Sequence, residues 1–301
     1  MTPDLIRLER GSLLALLDEA VVLARHMVPK LYLGLALPSA LAAGAVTGYQ
    51  SLVMRNVLSI IPVPDTTALS NIFSNFAFFI LLIFGYIAVI SLSSAGIFAA
   101  AAAELDGRPI GVLQAYLKVL QPRVLGTLFL MTLLVVLGFF FCVLPGIYLG
   151  LVWGLFLPVI FLEKSYGFQA LSRSRQLIIH DPNKSLFTPG MGWMLLIGIT
   201  VLVLSYGASI AVQLPLMAAQ QFFMLRHIMG QAENAAANNP LAFLPSWFFI
   251  LQAVSAFLST LVQMLVAFFS GSAVNLLYLR LRGRKEGHDL MAALDRLGAP
   301  E

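Results

Sequence analysis

Residues 124–162 read VLGTLFLMTLLVVLGFFFCVLPGIYLGLVWGLFLPVIFL, 39 positions in succession without an Asp, Glu, Lys or Arg. About 20 helical residues cross the roughly 30 Å hydrocarbon core of a bilayer, so this stretch is long enough for two crossings. Leu144-Pro145-Gly146 stands near its middle. Proline ends a helix and the glycine after it lets the chain turn. The expectation is two spans, near 124–143 and 147–164, joined by a hairpin in which Pro145 and Gly146 make a tight outer turn without exposing backbone to lipid.

Four more uncharged runs flank this one, at 31–54, 66–103, 185–225 and 234–279, and the five together hold 188 of the 301 residues. The whole chain is 59% hydrophobic and 11% charged, with a mean hydropathy of +0.90, against about 25% charged residues in soluble domains. That balance excludes a water-soluble globule and a disordered chain, and it leaves no stretch long enough for a soluble catalytic domain. A transmembrane β-barrel is excluded too, because its segments of about ten residues would alternate in polarity. The run 66–103 contains no breaker and reads as one long helix. Pro189-Gly190 opens the next run and Pro215 falls near its end, which predicts one span and then a kinked, partly interfacial extension toward Arg226. Asn238-Asn239-Pro240 displaces the last span to about 246–279, overlong and therefore tilted or protruding. The fold class expected is all-α: a polytopic membrane helical bundle of six transmembrane helices.

The basic residues orient such a bundle. Between six spans, alternate non-membrane segments carry 16 and 2 of the 18 Lys and Arg residues, the two being Arg55 and Arg226. Splitting the 66–103 run would invert every later segment and destroy that separation. The positive-inside rule then puts both termini in the cytoplasm. Acidic residues divide 12 to 2 on the same sides, so the net charge of +4 is cytoplasmic and favours contact with anionic headgroups. Nucleic acid is not an expected partner, since the basic excess only orients the chain. The charged, amphipathic opening of the chain (Asp4, Arg7, Glu9, Arg10) is unlike a cleavable signal peptide, so the first span itself directs insertion.

Outside the spans, residues 1–30 read as an N-terminal amphipathic helix lying in the membrane interface. Thr2-Pro3-Asp4 supplies its cap, Asp4, Arg7, Gly11, Asp18 and Arg25 one side, and Leu13, Leu16, Leu17, Ala20, Leu23 and Ala24 an apolar surface. Two further interfacial amphipathic segments are expected on the cytoplasmic side, at 104–123 and 163–184. Each begins with a glutamate at a helix end, passes a glycine, and ends near a proline. This likeness suggests a parallel internal repeat, spans two and three matching spans four and five. Residues 31–279 form the six-helix membrane domain, and 280–301 a polar cytoplasmic tail with a short helix.

Small residues recur every fourth position in two spans, as Ala36, Ala40, Gly44 and Gly48 and as Ser91, Ala95, Ala99 and Ala103. Such faces let helix backbones approach closely, within one chain or between two. The last span carries a polar stripe of Gln252, Ser255, Ser259, Gln263 and Ser270 on one helical face. Interhelical hydrogen bonding and a substrate cavity both account for it, the first being the plainer reading.

The residues that carry chemistry are sparse. No Asp, Glu, Lys, Arg or His lies inside an assigned span except at its ends, whereas ion-coupled transporters place such groups within the membrane. His26, His180, His227 and His288 lie apart with no metal-ligand spacing. The single cysteine, Cys142, has no partner in the chain and reads as a small packing residue. No G-x-S-x-G elbow, Walker A or G-x-G-x-x-G motif occurs. No cofactor and no metal are expected. An interfacial reaction would have to draw on Glu104, Asp106, Glu163, His180 and Asp181.

The most informative stretch is 144–177. Pro145-Gly146-Ile147-Tyr148 is followed by Pro158-Val159-Ile160-Phe161-Leu162-Glu163 and then by Ala170-Leu171-Ser172-Arg173-Ser174. This succession resembles the six-span membrane-domain family found fused to some bacterial glycerophosphodiester phosphodiesterases and as stand-alone inner-membrane proteins of uncharacterised role. The motifs cover about a tenth of the chain, and the flanking spans agree in length and order. The resemblance implies a bacterial plasma-membrane location and a domain that accompanies phosphodiester hydrolysis without performing it. The chain departs from the fused members in having no room for their catalytic barrel.

Physical roles follow for these residues. Pro158 kinks the fourth span. Glu163 reaches Arg173 or Arg175 only if the segment folds back, so a basic residue of the other repeat half is the expected partner. Lys164, Arg173, Arg175 and Lys184 form a candidate cytoplasmic headgroup site, and a salt bridge and turn are the plainer reading of the same residues. The function expected is a non-catalytic scaffold, accessory subunit or membrane-organising factor. Its partners are membrane lipids, and a membrane protein or a second copy of the chain. The alternative is a transporter or flippase for a lipid-like or weakly polar solute.

Overall fold

The computed structural model describes residues 12–60, 66–141, 143–179, 189–231 and 246–298. No strand occurs among them. The helices in chain order are α1 (Leu13–Ile60), α2 (Thr66–Leu105), α3 (Val112–Val119), α4 (Pro122–Phe141), α5 (Val143–Val152), α6 (Phe156–Pro158) with a π-helical turn at Val159–Glu163, α7 (Phe168–Ile178), α8 (Pro189–Gln231) and α9 (Ser246–Gly298). Among the described residues five helical stretches are long and apolar enough to cross a membrane, or six if α3 and α4, whose axes meet at 68°, count as one bent span. The run 66–103 lies in a single helix, as its lack of breakers predicts.

Two expected boundaries are absent, at residue 30 and at Arg280. No break separates the amphipathic N-terminal segment from the first span, because α1 runs from Leu13 to Ile60. The reason is a stripe of buried residues, Leu16, Ala20, Ala24, Met27, Leu31 and Leu35, that continues across position 30 at steps of three and four. α8 continues through Pro215 to Gln231, so the extension expected toward Arg226 belongs to the same helix as the span. The tail from Arg280 is the direct continuation of α9, a helix of 53 residues. Thr2-Pro3-Asp4, Cys142, His180, Asp181, Lys184 and Asn239 lie outside the described residues.

The chain divides into two compact units, one comprising 1–32, 94–203 and 265–301, the other 33–93 and 204–264. The first carries 16 of the 18 basic residues and 12 of the 14 acidic ones, the partition that the alternation of segments predicts. In this unit the small-residue stretch around Ala95, Ala99 and Ala103 is buried. A Cβ added at Gly271 of α9 would lie 3.0 Å from Ile97 Cγ2, so α2 and α9 pack on their small residues. In the second unit Gly44 and Gly48 of α1 play this part, since a Cβ on Gly44 would come within 3.3 Å of the Ala253 carbonyl oxygen on α9. The small faces are therefore used within one chain.

Pro145 and Gly146 do not form the turn between α4 and α5. They sit inside the first turn of α5, where proline forfeits no intrahelical hydrogen bond. Gly146 serves close packing instead: a Cβ added at Gly138 of α4 would lie 3.2 Å from its Cα.

Candidate functional site

The motif-bearing segment forms an elbow in the first unit. After Val152 the helix is broken at Trp153–Leu155, resumes at Phe156, and widens into the π-helical turn that ends at Glu163. Pro158 is the cause, though the break lies upstream of it. A proline has no N–H for the carbonyl four residues back and its ring crowds that carbonyl, here Gly154. Two backbone groups freed by the break are taken up by one side chain. Leu155 N–H donates to Ser174 Oγ (3.2 Å), and Ser174 Oγ–H donates to the Val152 carbonyl (2.9 Å). Ser174 is fully buried, so these bonds are shielded from water.

The chain reverses between Glu163 and Phe168 through two left-handed residues, Lys164 (φ 55°) and Gly167 (φ 62°, ψ −140°). The second conformation is essentially confined to glycine. Gly167 N–H donates to Thr127 Oγ1 at 2.7 Å, tying the elbow to α4. α7 then runs back with Ala170, Leu171, Ser174, Leu177 and Ile178 on its buried face.

This reversal overturns the pairing expected for Glu163, because it returns Arg173 to the same glutamate. Arg173 donates through Nε to Oε2 (3.0 Å) and through Nη2 to Oε1 (3.1 Å), the two-point geometry that suits a planar guanidinium. Tyr278 of α9 donates its hydroxyl to Glu163 Oε1 at 2.6 Å. Arg173 Nη2 also reaches Glu286 Oε1 at 2.8 Å, and Arg282 Nε reaches Glu286 Oε2 at 2.8 Å. Glu163, Arg173, Glu286 and Arg282 thus alternate in sign, with Tyr278 hydrogen-bonded to the first. The Glu163 carboxylate beside it holds Arg173 above the usual arginine range, so Arg173 is a permanent cation. The side chains are 14% (Glu163), 26% (Arg173), 39% (Arg282) and 41% (Glu286) exposed, and the outer pair is correspondingly weaker.

Three of the four expected headgroup cations lie among the described residues. Arg173 is held by Glu163 and Glu286, Arg175 projects from the exposed side of α7, Lys164 is exposed at the elbow, and Lys184 is outside the described residues. Sequence reasoning missed Tyr278, Arg282 and Glu286. Their spacing of four on one helix face was the available signal.

Elsewhere in this unit, Arg280 stacks 3.8 Å from the centroid of the Trp193 ring, and His26 Nδ1 lies 2.8 Å from Glu104 Oε1. Asn275, also missed, is fully buried and donates to the Gly271 carbonyl at 2.8 Å. Among the described residues no three His, Cys, Asp or Glu side chains are grouped to hold a metal.

The polar stripe of α9 is used for helix pairing at two of its members. In the second unit Ser51 Oγ–H donates to Gln252 Oε1 (2.8 Å), and Gln263 Nε2 donates to Ser209 Oγ (3.0 Å). Ser259 is buried, and Ser255 and Ser270 are half-buried. An open groove of this unit lies on another face of α9. It has a volume of about 550 Å³ between α1 and α9 and is lined by apolar residues including Leu41, Leu52, Ile250, Val254 and Phe257, with Gly44 and Gly48 at its base. Comparison with protein-family models, with curated proteins and with solved structures gives no match.

Proposed function

We propose that this chain is a non-catalytic, multi-pass protein of the bacterial inner membrane that works as a scaffold, accessory subunit or membrane-organising factor through lipid and protein contacts. The observation that carries this reading is how the polar groups are used. Glu163, the acidic residue of the motif, is held by an arginine and a tyrosine, and two polar-stripe glutamines bond neighbouring helices, while the open groove of the second unit is apolar. Groups spent on packing are poorly placed to turn over a substrate, and an apolar groove suits an acyl chain or a helix. Cytoplasmic termini follow from the 16 to 2 division of basic residues, and the inner-membrane location from the resemblance carried by the 144–177 motifs.

Native mass spectrometry of the protein released in lipid-preserving particles tests this reading. A stoichiometric protein partner or a specifically retained lipid is the expected result. A bare monomer that turns over a phosphodiester substrate would overturn it. The alternative, a transporter or flippase, is favoured by the discontinuous helix at Trp153–Leu155, since broken helices recur in transporters. Movement of labelled lipid or solute by the reconstituted protein would select it.

A further inference from the structure

The two amphipathic segments that look alike in sequence are used differently. α7 turns its apolar face inward, burying Ala170, Leu171, Leu177 and Ile178. α3 buries only Ala115 and Val119 and leaves Leu113, Leu117 and Leu120 exposed by 72, 56 and 47%. At 100° per residue these leucines fall within an arc of about 60°, on the side away from the buried Ala115 and Val119. Gln114 and Lys118 occupy an adjoining arc, roughly 110° around the helix from the leucines, and are exposed, as is Gln121 just beyond the helix. Arg108, Lys118 and Arg123, all exposed, stand before, on and after the helix. The axis of α3 meets that of α4 at 68°. If α4 crosses the bilayer near its normal, as spans do on average within about 20°, α3 runs closer to the membrane plane than to the normal.

We infer that α3 is a membrane-surface helix whose Leu113, Leu117 and Leu120 dip into the acyl boundary while Arg108, Lys118 and Arg123 hold anionic lipid headgroups. The occupant is lipid because the exposed leucine arc adjoins a polar arc and is flanked by cations, the charge pattern of a helix lying in an interface. A surface for a second protein copy has no need of that basic frame. The site lies on α3, whereas Arg173 of α7 is drawn into the ionic cluster. The inference rests on the reading that the chain spans a membrane, and its test separates the two.

The full-length chain carrying Cys142→Ser is labelled with an environment-sensitive fluorophore at Leu117→Cys, at Lys118→Cys, or at Phe129→Cys on the exposed face of α4. Each is placed in nanodiscs of phosphatidylcholine with or without phosphatidylglycerol. Iodide in the water and a nitroxide on the upper acyl chain of a lipid are the quenchers. Position 117 is expected to resist iodide about fivefold more than position 118 and to be quenched by the nitroxide lipid, as a residue a few ångströms below the headgroups would be. Phosphatidylglycerol should strengthen that lipid quenching, and Arg108→Gln with Arg123→Gln should abolish the gain. Equal iodide access at 117 and 118 would overturn the inference, as would a label at 117 shielded from both quenchers, the signature of a covering protein copy. Lipid quenching at 129 in either case would leave the membrane-spanning reading intact, and its loss there would refute that reading first.

Discussion

Ser174→Ala isolates the device on which the elbow depends. The hydroxyl accepts from Leu155 N–H and donates to the Val152 carbonyl inside a site closed to water. Its removal orphans one donor and one acceptor at the helix break. Each buried unmatched group costs about 1–3 kcal/mol, so the pair amounts to roughly 2–5 kcal/mol once some relaxation is allowed. In a chain of this size that corresponds to a midpoint lower by roughly 3–8 °C. Thermal unfolding of the purified protein in nanodiscs reads the shift, with Ser172→Ala, two residues away and exposed, expected to lie within about 0.5 kcal/mol of the parent. The cause assigned to the break predicts a coupling as well. Pro158→Ala restores an N–H to the Gly154 carbonyl and lets the helix close, so Ser174→Ala should cost at least about 1 kcal/mol less on that background. Equal midpoints for Ser174→Ala and Ser172→Ala, or full additivity with Pro158→Ala, would refute the account of Ser174 as the plug of a proline-induced break.

Other outcomes follow from the same geometry. Glu163→Gln removes the charge that Arg173 grips from two sides, and about 1–3 kcal/mol of stability should go with it; Arg173→Lys, unable to make the two-point contact, should lose a similar share in the same unfolding measurement. Gly190→Ala should destabilise strongly, because its Cβ would lie 2.9 Å from the Ile178 carbonyl oxygen, whereas Gly192→Ala, with open space around it, should gain up to about 1 kcal/mol of helix propensity; midpoints in the reverse order would refute the packing of α8 on the end of α7. Topology is read by thiol labelling of intact cells in the Cys142→Ser background. Asn239→Cys is expected to react with an impermeant reagent and Arg175→Cys to be protected, the exposed Arg175 replacing the buried Ser174 as reporter. Labelling at 175 would reverse the orientation.

The helix content, the apolar lengths and the concentration of charge were legible because each is a local or compositional property. A 38-residue run without a breaker has no alternative to one long helix in lipid, and α2 bears this out. The candidate site was half legible. Glu163, Arg173 and Ser174 stood out in the 144–177 motifs, yet their mutual contact depended on a reversal at Lys164 and Gly167 that no periodicity announces. Tyr278, Arg282 and Glu286 lie more than a hundred residues away in the chain, and their spacing of four groups them with one another without pointing to the elbow.

By itself the sequence determined an all-helical fold class of membrane-length apolar helices, read as six where the described residues hold five or six, and that nearly all the charge falls in alternate segments. These follow from the cost of exposing backbone and charge to hydrocarbon, which acts residue by residue. Only the tertiary structure decided which amphipathic helix is folded inward and which leaves its leucines exposed, and which polar residues are consumed in pairing. Those outcomes depend on what each side chain meets across the bundle, and a helical pattern is the same whether the face it forms meets protein or lipid.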